Sequence, residues 1–175
     1  VTTRGVTKIR TFVFSVLSIL PLTLLGRELR LQPLEIYTAI GLASLNPFLI
    51  QYAQHLRMYG LLLLCGLTSM WLFHRAIRTA ARPALARYTA LTLANIILVY
   101  SHYFGWLIVG LECLYVLLWR RDYWKRILIS ASIVLAAFTP WLYAAGTRAY
   151  AKGGLHSNLD WIARPTFQDV VVLLA

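Results

Sequence analysis

Long, almost uncharged apolar runs alternate along the chain with short polar segments rich in Lys and Arg. The runs are Thr11–Gly26, Ile36–Gln54, Met58–Phe73, Tyr88–Trp119 and Ile127–Gly146, followed by the shorter Val170–Ala175. A helix needs ~20 apolar residues to cross a hydrocarbon core of ~30 Å, and fewer where flanking side chains snorkel. Each of the five longer runs therefore predicts transmembrane helix. Tyr88–Trp119 is too long for one span, because its 32 residues would rise ~48 Å. The polar break Ser101-His102-Tyr103-Phe104-Gly105 predicts a tight hairpin of two short helices. The pattern thus predicts an all-α, polytopic transmembrane helical bundle of six spans and the start of a seventh.

Composition strengthens this picture. The chain has 175 residues, of which 59% are hydrophobic and 13% charged, and its mean hydropathy is +0.66. Soluble domains are ~45–50% apolar and ~25% charged. Too little polar surface remains to cover a soluble globule, and disordered chains lack bulky apolar residues. Residues 1–175 read as a single membrane domain.

The net charge of +11 would suggest nucleic acid in a soluble protein. Here each basic run abuts an apolar span, so membrane lipid is the predicted partner and nucleic acid is not. Ten of the seventeen basic residues fall in alternate loops: Arg27 and Arg30, then Arg75, Arg78, Arg82 and Arg87, then Arg120, Arg121, Lys125 and Arg126. The preference of Lys and Arg for the cytoplasmic side orients these loops inward. Cys65 and Cys113 lie within apolar spans and read as small buried hydrophobes. No phosphate-binding glycine loop and no zinc-ligand spacing is present.

Three polar segments then face outward. In Asn46–Tyr59, Pro47 breaks or kinks the helix near the membrane exit. Beyond it, Gln51, His55 and Tyr59 recur at intervals of four, and Gln54 and Arg57 are three apart, so a short helix presents them on neighbouring faces. Such a group suits an anion, because Arg supplies a planar fork of donors and Gln, Tyr and His add directional hydrogen bonds. The competing reading has Arg57 snorkelling to headgroups and the tyrosines forming an interfacial belt. At the hairpin tip, His102 can bind a divalent metal or a phosphate, or simply occupy a wet turn. The third segment includes Thr139-Pro140-Trp141 and Asp160-Trp161-Ile162. Asp160 there can act as acid, base or sugar-hydroxyl acceptor, or cap a helix. Glu112 is costly within a span, and a polar neighbour such as Asn95 is one partner for it.

The run Leu45-Asn46-Pro47-Phe48, continued by Tyr52-Ala53-Gln54-His55-Leu56-Arg57-Met58-Tyr59, resembles the membrane glycosyltransferases of the dolichyl-phosphate-mannose protein mannosyltransferase type. These have the C-type glycosyltransferase fold and include bacterial members that use polyprenyl-phosphate sugars. Ser101-His102-Tyr103-Phe104, Thr139-Pro140-Trp141 and Asp160-Trp161-Ile162 follow in the family's order. The resemblance covers nearly the whole chain. His55 departs from it, standing where the family often has Glu.

The resemblance implies an inverting transfer of sugar from a polyprenyl-phosphate-linked donor to an acceptor on the outer face of the plasma membrane. It implies that Gln54, Arg57 and Tyr59, with His55 and Asp160, contact substrate. His102 becomes a helper or a metal ligand, with no other cofactor indicated. The family's base is an acid in the loop after the first span, which would precede Val1. The chain is therefore expected to be an internal fragment of a longer protein, lacking that acid. Two other classes compete: a transporter or flippase for lipid-linked or anionic substrates, and a non-catalytic membrane assembly subunit.

Overall fold

The computed structural model describes residues 13–47, 59–78 and 84–151, which are helical apart from short turns. The helices are α1 (Ile19–Glu28), α2 (Pro33–Leu45), α3 (Tyr59–Arg78), α4 (Ala84–Ser101), α5 (Gly105–Trp119) and α6 (Trp124–Ala151). Residues 13–17 form a helical lead-in to α1, interrupted by a turn at Ser18. Pro21 accounts for the interruption, since it offers no N–H to the carbonyl four residues earlier.

Two segments, Tyr59–Arg78 and Arg121–Arg148, are long and apolar enough to cross a membrane. The hairpin predicted within Tyr88–Trp119 is present: α4 stops at Ser101 and α5 starts at Gly105. The run Ile36–Gln54, by contrast, is not one continuous helix. Its helix ends at Leu45, and Asn46 is extended at φ −69°, ψ 115°. Pro47 is the cause, because its ring disfavours helical backbone at the residue before it. The 13 residues of α2 rise only ~20 Å, short of a full bilayer core.

Local chemistry shapes the turn from α1 to α2. Arg30 N–H donates to the Arg27 carbonyl and Leu31 N–H to the Gly26 carbonyl, both at 3.0 Å. This pair of bonds is a Schellman motif, which places Arg30 at the left-handed position usually held by glycine. Arg30 has φ 62°. Arg30→Gly is therefore expected to stabilise the fold by roughly 1 kcal/mol, measurable as a higher unfolding midpoint in detergent. Glu35 then accepts the Gln32 N–H at 2.7 Å, satisfying one orphan donor at the start of α2.

The described residues fall into two compact units that divide within α6, after Phe138. In the second, the rest of α6 carries Pro140, and Thr147 Oγ1 bonds back to the Tyr143 carbonyl at 3.1 Å. In the first, α3, α4 and α5 pack side by side. The basic loops converge at one end of this unit. Arg78 pairs with Glu28 at 3.6 Å, and Arg120 Nη2 donates to the Ile77 carbonyl at 2.8 Å. The Arg126 guanidinium lies 5.7 Å from the centre of the Tyr88 ring. Arg120 thus closes a carbonyl in the last turn of α3 that no intrahelical N–H reaches.

Buried side chains form two apolar layers. Phe73, Ala76, Ile77, Leu91, Val116 and Ile127 pack toward the basic end. Val99, Val109, Val134 and Phe138 pack toward the hairpin tip. Each packed helix keeps buried residues three or four apart, as a core-facing stripe requires. Gly105 sets how closely the hairpin closes: a Cβ there would lie 2.8 Å from the Leu98 carbonyl oxygen.

Candidate functional site

Two polar regions carry chemistry, one at the hairpin tip and one between the apolar layers. At the tip, Gly105 N–H donates to the His102 carbonyl at 2.8 Å, and Trp106 N–H to that of Tyr103 at 3.1 Å. The turn crowds three rings together. His102 stacks on Phe104 at 5.1 Å and lies 4.5 Å from Tyr103. Tyr59, the first residue of α3, brings its ring to 5.8 Å from His102. Two residues singled out from separate segments of sequence are thereby neighbours.

His102 Nδ1 accepts the Phe104 N–H at 3.2 Å. In a neutral ring the remaining proton then resides on Nε2, making that nitrogen a donor. A donor suits a phosphate or hydroxyl oxygen better than a metal ion, which needs a lone pair. Among the described residues no group of three or more His, Cys, Asp or Glu side chains is placed to hold a metal. Gln54, His55, Arg57 and Asp160 lie outside the described residues.

Between the apolar layers, α3, α4 and α5 each contribute a polar side chain from near mid-length. Ser69, Asn95 and Glu112 are 0%, 2% and 5% exposed. Ser69 Oγ lies 2.5 Å from Asn95 Oδ1 and 2.6 Å from Glu112 Oε1, and Asn95 Nδ2 lies 2.8 Å from Glu112 Oε2. The pairing of Glu112 with Asn95 is the one expected for a carboxyl group set in an apolar run. Nearby, Thr92 Oγ1 donates to the Tyr88 carbonyl at 2.7 Å and meets Ser130 Oγ at 2.7 Å. Having spent its proton on Tyr88, the Thr92 hydroxyl accepts from Ser130.

Ser69, Thr92 and Ser130 are not identifiable from residue type alone, since hydroxyls bond their own helix backbone in most settings. A positional signal does exist. Asn95 lies midway between buried Leu91 and Val99, Glu112 between Val109 and Val116, and Ser130 between Ile127 and Val134. Each polar residue occupies the inward stripe of its own helix. Neither a protein-family model, nor a curated protein, nor a solved structure matches the chain.

Proposed function

We propose that the chain is the donor-binding membrane portion of a glycosyltransferase of the dolichyl-phosphate-mannose protein mannosyltransferase type, a multi-pass protein of the bacterial plasma membrane. The carrying observation is the meeting of Tyr59 with His102. It joins the end of the Gln54-His55-Leu56-Arg57-Met58-Tyr59 segment to the hairpin tip, away from the basic end. Large apolar side chains that face outward, such as Leu34 at 75%, Leu45 at 77% and Leu107 at 65% exposure, suit lipid and would be unusual on a soluble surface. The shorter helices cross the bilayer in this reading with basic and aromatic residues at their ends.

In this role Arg57, Gln54 and Tyr59 hold the phosphate of a polyprenyl-phosphate-linked sugar, and the Nε2–H of His102 adds a donor. The acceptor hydroxyl attacks the anomeric carbon as the sugar–phosphate bond breaks, and the polyprenyl phosphate departs with the electron pair. Cationic and hydrogen-bonding groups at the phosphate stabilise that leaving group. The acceptor proton passes to a carboxylate, and no described residue is assigned that task. Asp160 contacts sugar hydroxyls.

The test is equilibrium binding of a labelled polyprenyl-phosphate sugar to the chain in lipid nanodiscs. Saturable binding, displaced by unlabelled polyprenyl phosphate and not by the uncharged polyprenol, is expected. No saturable binding, or displacement by polyprenol alone, would overturn the reading. A second reading, a transporter or flippase, is favoured by Glu112 alone, since an acid buried at mid-helix among polar partners is a feature of transport pathways. Vesicle uptake that depends on Glu112 and not on Arg57 would select it.

A further inference from the structure

Three close contacts join Ser69, Asn95 and Glu112 into a closed triangle, and each edge needs one hydrogen between its heavy atoms. The side chains supply a fixed number. A hydroxyl has one proton, an amide can donate only from its nitrogen, and an ionised carboxylate donates none. With Asn95 Oδ1 facing Ser69, the serine proton serves that edge and Asn95 Nδ2 serves the edge to Oε2. The edge between Ser69 Oγ and Glu112 Oε1 then has no hydrogen unless the carboxyl carries one. Reversing the amide moves the shortfall without removing it. Asn95 then donates to Ser69, Ser69 donates to Oε1, and two acceptor oxygens meet at the third edge. In both arrangements the circuit closes only with a proton on Glu112.

The surroundings agree. No described Lys, Arg or His lies within ion-pair distance of Glu112. The charged groups of the packed helices, Arg75 and Arg78 on α3, Arg87 on α4, and Lys125, Arg126 and Arg148 on α6, lie toward the helix ends. His74 packs instead against Phe73 and Tyr115. Cys65 and Cys113, the free cysteines of α3 and α5, bring no positive charge. A bare carboxylate between two apolar layers would be uncompensated.

We propose that Ser69, Asn95 and Glu112 form a proton-binding site at which a neutral Glu112 carboxylic acid completes a hydrogen-bonded ring fastening α3, α4 and α5 together. The proposal is independent of any sugar transfer. Glutamine reproduces the neutral acid, since it has one donor and one acceptor arm in the same places, whereas alanine opens two edges of the ring.

Infrared difference spectroscopy of wild-type protein against Glu112→Gln, in nanodiscs at neutral pH, reads the proton directly. A protonated-carboxyl C=O band present in the wild type and lost in the variant is expected. Thermal unfolding provides a second reading: Glu112→Gln should melt within about 2 °C of wild type, and Glu112→Ala about 5 °C or more lower. Absence of the band from the wild type would overturn the proposal, as would a Gln variant that melts as low as the Ala variant. Should the Ala variant fail to fold, the band and the Gln variant still decide.

Discussion

Asn95→Leu is expected to destabilise the helix core by roughly 2–4 kcal/mol. Leucine keeps the branched heavy-atom skeleton of asparagine, so the change creates no cavity and the effect is chiefly one of lost hydrogen bonds. Asn95 is the shared partner of Ser69 and Glu112, contacting them at 2.5 and 2.8 Å. Its removal leaves Glu112 Oε2 buried without a partner, which costs about 1–3 kcal/mol, and takes from Ser69 Oγ one of its two hydrogen bonds, about 1 kcal/mol more. An interhelical hydrogen bond within a membrane contributes about 0.6 kcal/mol on average, so a single lost bond would hardly be noticed. Stranding a buried carboxyl oxygen is a different matter.

Unfolding in detergent or nanodiscs, followed by loss of helicity, measures the change. The comparison that separates stranding from simple bond loss is the triple variant Ser69→Ala, Asn95→Leu, Glu112→Leu. Replacing a whole polar cluster by apolar groups is often neutral or better, so the triple variant should be more stable than Asn95→Leu alone. A triple variant that loses the sum of three single losses would show that the three side chains act separately.

Arg57→Ala is expected to weaken binding of the polyprenyl-phosphate sugar by about 30- to 1,000-fold. That range corresponds to the roughly 2–4 kcal/mol lost when one partner of a hydrogen-bonded charge pair is truncated. Arg57→Lys should recover only part of it, because an ammonium keeps the charge and loses the planar fork that meets two phosphate oxygens at once. The snorkelling reading of Arg57 makes the opposite forecast: both variants bind the donor as wild type does, with at most a small change in stability. Binding isotherms for the three proteins at one salt concentration distinguish these outcomes, and fixing the salt matters because exposed charge interactions are screened.

How much of this was legible beforehand depends on the kind of interaction involved. The break at Ser101–Gly105 was readable because polar residues and a glycine interrupt an apolar run that is too long for one helix. The break at Pro47 was readable in kind, because proline constrains its own backbone and that of Asn46. Its extent was not. The run Ile36–Gln54 is apolar enough for one span, and hydropathy alone does not register the extended residue at Asn46. Convergence of the three basic segments at one end followed from charge spacing, and the Arg78–Glu28 and Arg120–Ile77 contacts realise it.

The polar layer was half visible. A carboxylate within a span demands a partner, so Glu112 stood out and Asn95 was a natural choice. Ser69 was not, because many serines in the chain have the same local surroundings. Tyr59 and His102 were each singled out within their own segments, yet nothing in either segment required that they meet.

Amino-acid order alone therefore settles the all-helical character, the places where helices stop and the end at which cations gather. Those features depend on backbone sterics and on the solvation of residues close together in the chain. The packing of α3, α4 and α5 settles which buried polar groups share hydrogens and which outer residues adjoin. Helix rotation and separation are fixed by long-range contacts, such as the approach of Gly105 to the Leu98 carbonyl, and a shift of one residue along a helix turns its inward face by ~100°.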